Sequence, residues 1–225
     1  MFIKICGIKT PEVAAQCFEL GADMIGLVHY PPSPRHVDAE QIRVITKVIA
    51  PFRRCGKFIT LVVVDPEPAE VMRLLDACEH EIDCVQLHGQ QQTISLPDCN
   101  MNLIRVVRNK QMCQTLLRQN QDIPQKTKSN LPQYVFELSR GTLPGGNGKI
   151  WDWLTARSFC KRFPTLIAGG VSADNLGDVI HEAAPFGVDL SSGVESSPGI
   201  KDINKLQRFF EILRELRHEQ NHENL

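Results

Sequence analysis

The 225-residue chain has no long basic run. Its 25 Lys+Arg balance 26 Asp+Glu to a formal net charge of -1, so a nucleic-acid backbone is not an expected partner. Long hydrophobic runs are also missing. The amino-terminal MFIKICGIKT is apolar for only a few residues around Lys4, too short for a secretory signal and far too short to cross a bilayer. A cytoplasmic location without membrane contact is expected. There is no CxxC pair: Cys6, Cys17, Cys55, Cys78, Cys84, Cys99, Cys113 and Cys160 are scattered, which fits buried thiols better than a disulfide framework or a structural zinc. The histidines show no metal-ligand spacing, and no metal is expected. No long exposed apolar stripe marks an interface, so the oligomeric state stays open.

What is present is a rhythm. Short β-type apolar runs alternate with amphipathic stretches: FIKIC, then a helix from Pro11 to Leu20 with Thr10 as N-cap; DMIGLVHY, then a helix started by Asp38. KFITLVVV precedes a helix over Pro66 to Ala77, and DCVQLHG precedes a weak one at about 90 to 95. NLIRVV is followed by a helix near 110 to 119, and residues 120 to 132 are polar with two prolines, a surface loop. QYVFEL, PTLIAGG and GVDLSSG each lead into a further helix, near 150 to 160, 173 to 184 and 202 to 218. Eight strand–helix units predict a single (β/α)8 barrel over residues 1–225, an α/β fold with a polar, frayed tail from about 219. An open doubly wound sheet is the alternative. Both architectures put ligand chemistry beyond the carboxyl ends of the strands.

The residues at those ends are therefore the candidates. IAGGVSADN and GVDLSSGVES place Gly169, Gly170, Ser192 and Gly193 after strands seven and eight. Exposed N–H groups there favour an anion, and that pair of loops is the recurrent phosphate site of such barrels, so a phosphorylated small molecule is the expected ligand. The PGGNG loop with Gly146 closes over the same side. Cys6 ends the first strand, where a catalytic thiolate and a small buried thiol are both open readings. Alternation in QYVFEL points Val135 and Glu137 inward and Tyr134, Phe136 and Leu138 toward the helices, and a carboxylate at the barrel mouth implies a use. Arg35, in PPSPRHV, is either a carboxylate clamp or a solvated loop arginine. His88 in QLHG is either a polar group at the mouth or a turn histidine.

Taken together, KICGI (4 to 8), GAD.IGLVHYPPSPR (21 to 35), VQLHG (85 to 89), GGNGK.WDW (145 to 153), LIAGGV...N (166 to 175) and VDLSSGVESSPGIKD (188 to 202) resemble the phosphoribosylanthranilate isomerase family. The resemblance runs from the first strand to the last helix. It implies a cofactor-free Amadori rearrangement of N-(5-phosphoribosyl)anthranilate to 1-(2-carboxyphenylamino)-1-deoxyribulose 5-phosphate. It also implies roles: Cys6 as general base, Arg35 on the anthranilate carboxylate, Asp189 in substrate positioning, and the loops at 169–170 and 192–193 on the phosphate; His88 joins the substrate-binding candidates by its position at the mouth. Three positions depart from the family pattern. The family acid is an aspartate in a pattern like LLDS, and here VFEL puts Glu137 in its place. Asn147 stands where GGTG has threonine, and His29 where an aromatic is common. Two outcomes fit these departures: a working isomerase adapted to a longer acid, or a diverged member that binds or converts another phosphosugar.

Overall fold

The computed structural model describes residues 1–79, 81–90, 94–96, 101–119, 130–138 and 151–223. Eight parallel strands close in sequence order: β1 (Phe2–Cys6), β2 (Met24–His29), β3 (Phe58–Val64), β4 (Cys84–His88), β5 (Asn102–Val107), β6 (Tyr134–Phe136), β7 (Thr165–Ile167) and β8 (Gly187–Leu190). The closure between β1 and β8 is in register at Lys4 and Asp189. This is the (β/α)8 barrel, and the open sheet is excluded.

Period-2 alternation sorts the side chains. Ile3, Ile5, Ile25, Leu27, Ile59, Leu61, Val85, Leu87, Tyr134 and Phe136 join the layer between sheet and helices. Met24, Cys84, Ile104, Val106, Val135, Leu166 and Ala168 fill the barrel interior as a separate cluster. Burial of both faces is what a parallel barrel demands, and it explains why these strands read as nearly continuous apolar runs.

The helices begin where the local chemistry favours them. In α1 (Pro11–Leu20) the Thr10 side chain accepts from Val13 N, with proline at the first helical position. Asp38 and Gln41 form a capping box on α2 (Ala39–Arg53). The helix α3 (Pro68–Ala77) starts two residues later than its pattern predicts, because Pro68 takes the first helical position, where its missing N–H is harmless. Beyond β4 the expected weak helix is not seen at 94–96, while 91–93 and 97–100 lie outside the described residues. Next come α4 (Lys110–Gln119), α5 (Arg157–Cys160) after a 3₁₀ turn at Trp153–Ala156, and α6 (Leu176–Ala183) after another at Ala173–Asn175. The last helix, α7 (Ile203–Glu223), continues through the stretch predicted to fray, in keeping with the helix-favouring Glu and Gln there. A short antiparallel hairpin, β9 (Glu195–Ser197) and β10 (Ile200–Lys201), follows β8 and was not predicted. No helix among the described residues is long and apolar enough to cross a membrane.

Candidate active site

A cavity of about 810 Å³ opens at the carboxyl ends of the strands. Cys6, Arg35, His88, Glu137, Gly169, Gly170, Asp189, Ser192 and Gly193 all line it. The strand ends thus bring nine of the ten predicted site residues together. The tenth, Gly146, lies outside the described residues with Asn147. His29 does not contribute. It follows the cavity-lining Val28, so the pleat turns it toward α3, with Nδ1 2.9 Å from Val37 O and Nε2 3.6 Å from Glu70.

Cys6 stands at the end of β1, opposite Gly26 on β2. A Cβ at position 26 would lie 2.8 Å from Cys6 Sγ, so the glycine makes the space that the sulfur occupies. Beneath it, Lys4 is fully buried and donates to Asp189 Oδ2 at 2.7 Å. Burial opposes the charge on Lys4, but Asp189 and Cys6 beside it more than restore it, holding its pKa above the ordinary lysine range. Burial raises the Cys6 thiol and Asp189 adds to the rise; Lys4 and Lys201 pull it back toward the thiolate without cancelling the shift, so its pKa stays above the ordinary thiol value.

Glu137 is 3% exposed, and its backbone N–H donates to Val107 O at 2.9 Å. The aromatics that precede it in sequence anchor the strand. Phe136 stacks on Trp151 at 5.5 Å, and Tyr134 meets Phe159 edge-on at 5.0 Å, both in the outer layer. That leaves the cavity side to the carboxylate. Its Cγ lies 3.2 Å from where a Cβ on Gly169 would sit, and Trp151 Nε1, donating to Ala168 O at 3.0 Å, is equally close to that point. The longer acid therefore occupies a slot bounded by a bare glycine backbone and an indole edge.

Gly169 and Gly170 have φ of +84° and +78°, a left-handed turn that glycine adopts without strain. Asn175 Nδ2 donates to Gly170 O, and its Oδ1 accepts from Ser172 N, fixing the turn onto the start of the following helix. A Cβ at Gly193 would lie 2.0 Å from Val171 O. The loops after β7 and β8 are thus in backbone contact and form one continuous wall.

Arg35 corrects one expectation. It is 7% exposed, not solvated, and its Nε and Nη2 grip Glu195 at 2.9 and 2.7 Å. Lys201 Nζ adds 2.8 Å to the same carboxylate, and Lys205 donates to Glu195 O. Burial raises the Glu195 pKa, but Arg35 and Lys201 outweigh it and hold the group below the usual carboxylate range. The Nε–Nη2 edge of the guanidinium is therefore taken by Glu195.

A family model for N-(5'-phosphoribosyl)anthranilate isomerase matches residues 3–212. The chain belongs to this isomerase family of tryptophan biosynthesis. A curated phosphoribosylanthranilate isomerase of Desulfatibacillum aliphaticivorans is 36% identical over 93% of this chain and 91% of its own. Another, of Pelobacter propionicus, is 32% identical over 96% and 97%. Among solved structures, the isomerase of Thermotoga maritima aligns with a TM-score of 0.77 at 29% identity, covering 95% and 98% of the two chains. A further isomerase structure, in complex with reduced 1-(o-carboxyphenylamino)-1-deoxyribulose 5-phosphate, aligns at 0.74 and 28% identity over 95% and 98%.

Within this isomerase fold, sequence reasoning passed over Lys4, Gln86, Arg108, Glu195 and Lys201. Lys4 reads as a break in an apolar run, yet it shares the parity of Cys6 and so faces the interior. Gln86 has the same relation to His88. Glu195 and Lys201 lie inside the quoted VDLSSGVESSPGIKD block, but the Glu195 partner Arg35 is 160 residues away.

Proposed function

We propose that the chain catalyses the Amadori rearrangement of N-(5-phosphoribosyl)anthranilate, with Glu137 as general acid and Cys6 as general base. The carrying observation is that one cavity contains both groups and the two loops after β7 and β8. The phosphate docks on the wall formed by Gly169, Gly170, Ser192 and Gly193. Helix-start N–H groups in such loops favour the dianion. Glu137 protonates the ring oxygen as the C1–O bond breaks, giving the Schiff base. Cys6, as thiolate, then removes the C2 proton, and the enamine tautomerises to the aminoketone. The ammonium groups of Lys4 and Lys201 favour that thiolate. Arg35 meets the anthranilate carboxylate. Asp189, whose Oδ1 is buried without a hydrogen-bond partner, accepts from a ligand hydroxyl. The fit of the Glu137 stem against Gly169 supports a site adapted to the longer acid.

The test is turnover of freshly generated phosphoribosylanthranilate, followed by loss of its anthranilate fluorescence. Cys6→Ala and Glu137→Gln are each expected to lower kcat by about 10²- to 10⁴-fold, with binding of the reduced product analogue nearly unchanged. Parent-like turnover by Glu137→Gln would remove it from the mechanism. A folded parent that binds the analogue but does not turn over would favour the diverged phosphosugar protein.

A further inference from the structure

On β4, alternation aims Cys84, Gln86 and His88 at the barrel interior, and the last two line the cavity. Gln86 is 1% exposed. Its Nε2 lies 2.8 Å from His88 Nε2, and its Oε1 is buried with no hydrogen-bond partner. On the other edge of the imidazole, Arg108 Nη2 lies 3.0 Å from His88 Nδ1.

A guanidinium has donors and no acceptor, so Nδ1 must accept. The neutral ring then carries its proton on Nε2. Burial, reinforced by Arg108 and Lys4, lowers the His88 pKa to about 3, which keeps the ring neutral. An Nε2–H facing an amide NH₂ would set two donors against each other while an acceptor stays buried and empty. Exchanging the amide O and N by a half-turn gives His88 Nε2–H its acceptor and leaves the NH₂, not the oxygen, as the buried group in want of a partner.

We infer that Gln86 presents its carbonyl oxygen to His88 Nε2–H and its NH₂ to the cavity, where it donates to an oxygen of the bound ligand. Arg108 and His88 are then positioning residues: a donor one residue past the end of β5 selects the tautomer, and the tautomer selects the face that the amide shows. Topology says which end of the ligand is met. In an eight-stranded ring β4 lies opposite β8, so an amide on β4 faces the end of the molecule remote from a phosphate on the β7 and β8 loops. Gln86 is thus a specificity group for an oxygen-bearing end that is not the phosphate. The ligand's identity rests on the isomerase reading above; the amide orientation does not.

Two experiments separate these parts. Two-bond proton–nitrogen correlation spectra of the ligand-free protein at neutral pH, with His88 assigned by its loss in His88→Gln, should show a neutral ring protonated at Nε2. Protonation at Nδ1 would overturn the relay whatever the protein catalyses. Titration calorimetry with the reduced product analogue should then show binding weakened about 5- to 100-fold in Gln86→Leu, and also in Gln86→Glu, which keeps an acceptor for His88 but lacks the donor. Arg108→Met should mix the tautomers and weaken binding less, and Arg108→Lys should restore both. Parent-like affinity in folded Gln86→Leu sinks the donor role. Failure of the parent itself to bind the analogue sinks the isomerase reading and the ligand half of this inference, while the tautomer spectrum still decides the amide.

Discussion

Two buried carboxylates lie six positions apart near the end of the barrel, and their surroundings differ. Glu195 is saturated: Arg35 engages both of its oxygens, and Lys201 adds a second cation to one of them. Asp189 is half-used, with Oδ2 on Lys4 and Oδ1 facing no donor. A buried polar group without a partner costs free energy, so a fold tolerates it where a ligand supplies the missing bond. The contrast teaches how to read charge in this cavity. The saturated cluster ties the β2 loop to the hairpin after β8, and the unsaturated Asp189 oxygen is the one that the proposed function gives to a ligand hydroxyl.

Three experiments can break that division. The largest effect is expected for Glu195→Ala, which leaves Arg35 and Lys201 buried without their counter-charge. The unfolding free energy should fall by about 3–5 kcal/mol, measured by urea denaturation, and an unchanged midpoint would show that the cluster does not hold the rim. Asp189→Asn keeps the shape and an acceptor for Lys4. It should stay folded and lose about 100-fold in kcat/KM, equivalent to about 2.7 kcal/mol; a variant with parent kinetics would show that the orphan oxygen meets no ligand.

Acid separates the groups more gently. His88 has its folded pKa lowered to about 3 from the ordinary 6.5, so below pH 6.5 the unfolded chain binds the extra proton and stability declines. That slope is at most about 1.4 kcal/mol per pH unit. Glu195 has a depressed folded pKa, so its contribution is intact above the ordinary 4.5 and lost only as pH falls further. Urea midpoints should therefore begin to drop near pH 6.5, and His88→Asn should delay the onset. An identical profile in that variant would assign the slope elsewhere.

Much of this was readable from spacing. The alternation in QYVFEL put Glu137 on the cavity side because Tyr134, Phe136 and Leu138 need the helix layer. The two glycine loops could be placed because a parallel barrel puts all its βα-loops on one rim. Other features were hidden for physical reasons. The grip of Glu195 on Arg35 joins residues 160 apart, and no local pattern encodes it. The hairpin after β8 is too short and polar to stand out from a loop. Gln86 could have been noticed by parity with His88, but its role depends on Arg108, which only barrel closure brings within 3.0 Å.

The pairing of Lys4 with Asp189 also matters for how the chain comes together. The two residues face each other across the seam where the first and last strands meet. Lys4 precedes Asp189 by 185 residues, so its ammonium has no counter-charge until all the chain between them has been synthesised. A slip of one residue at that seam would set Lys4 against Val188 or Leu190, so a misaligned closure leaves a bare charge in an apolar wall. The latch that proofreads the final seam therefore sits directly under the sulfur of Cys6, and a barrel closed out of register would have no assembled reaction centre.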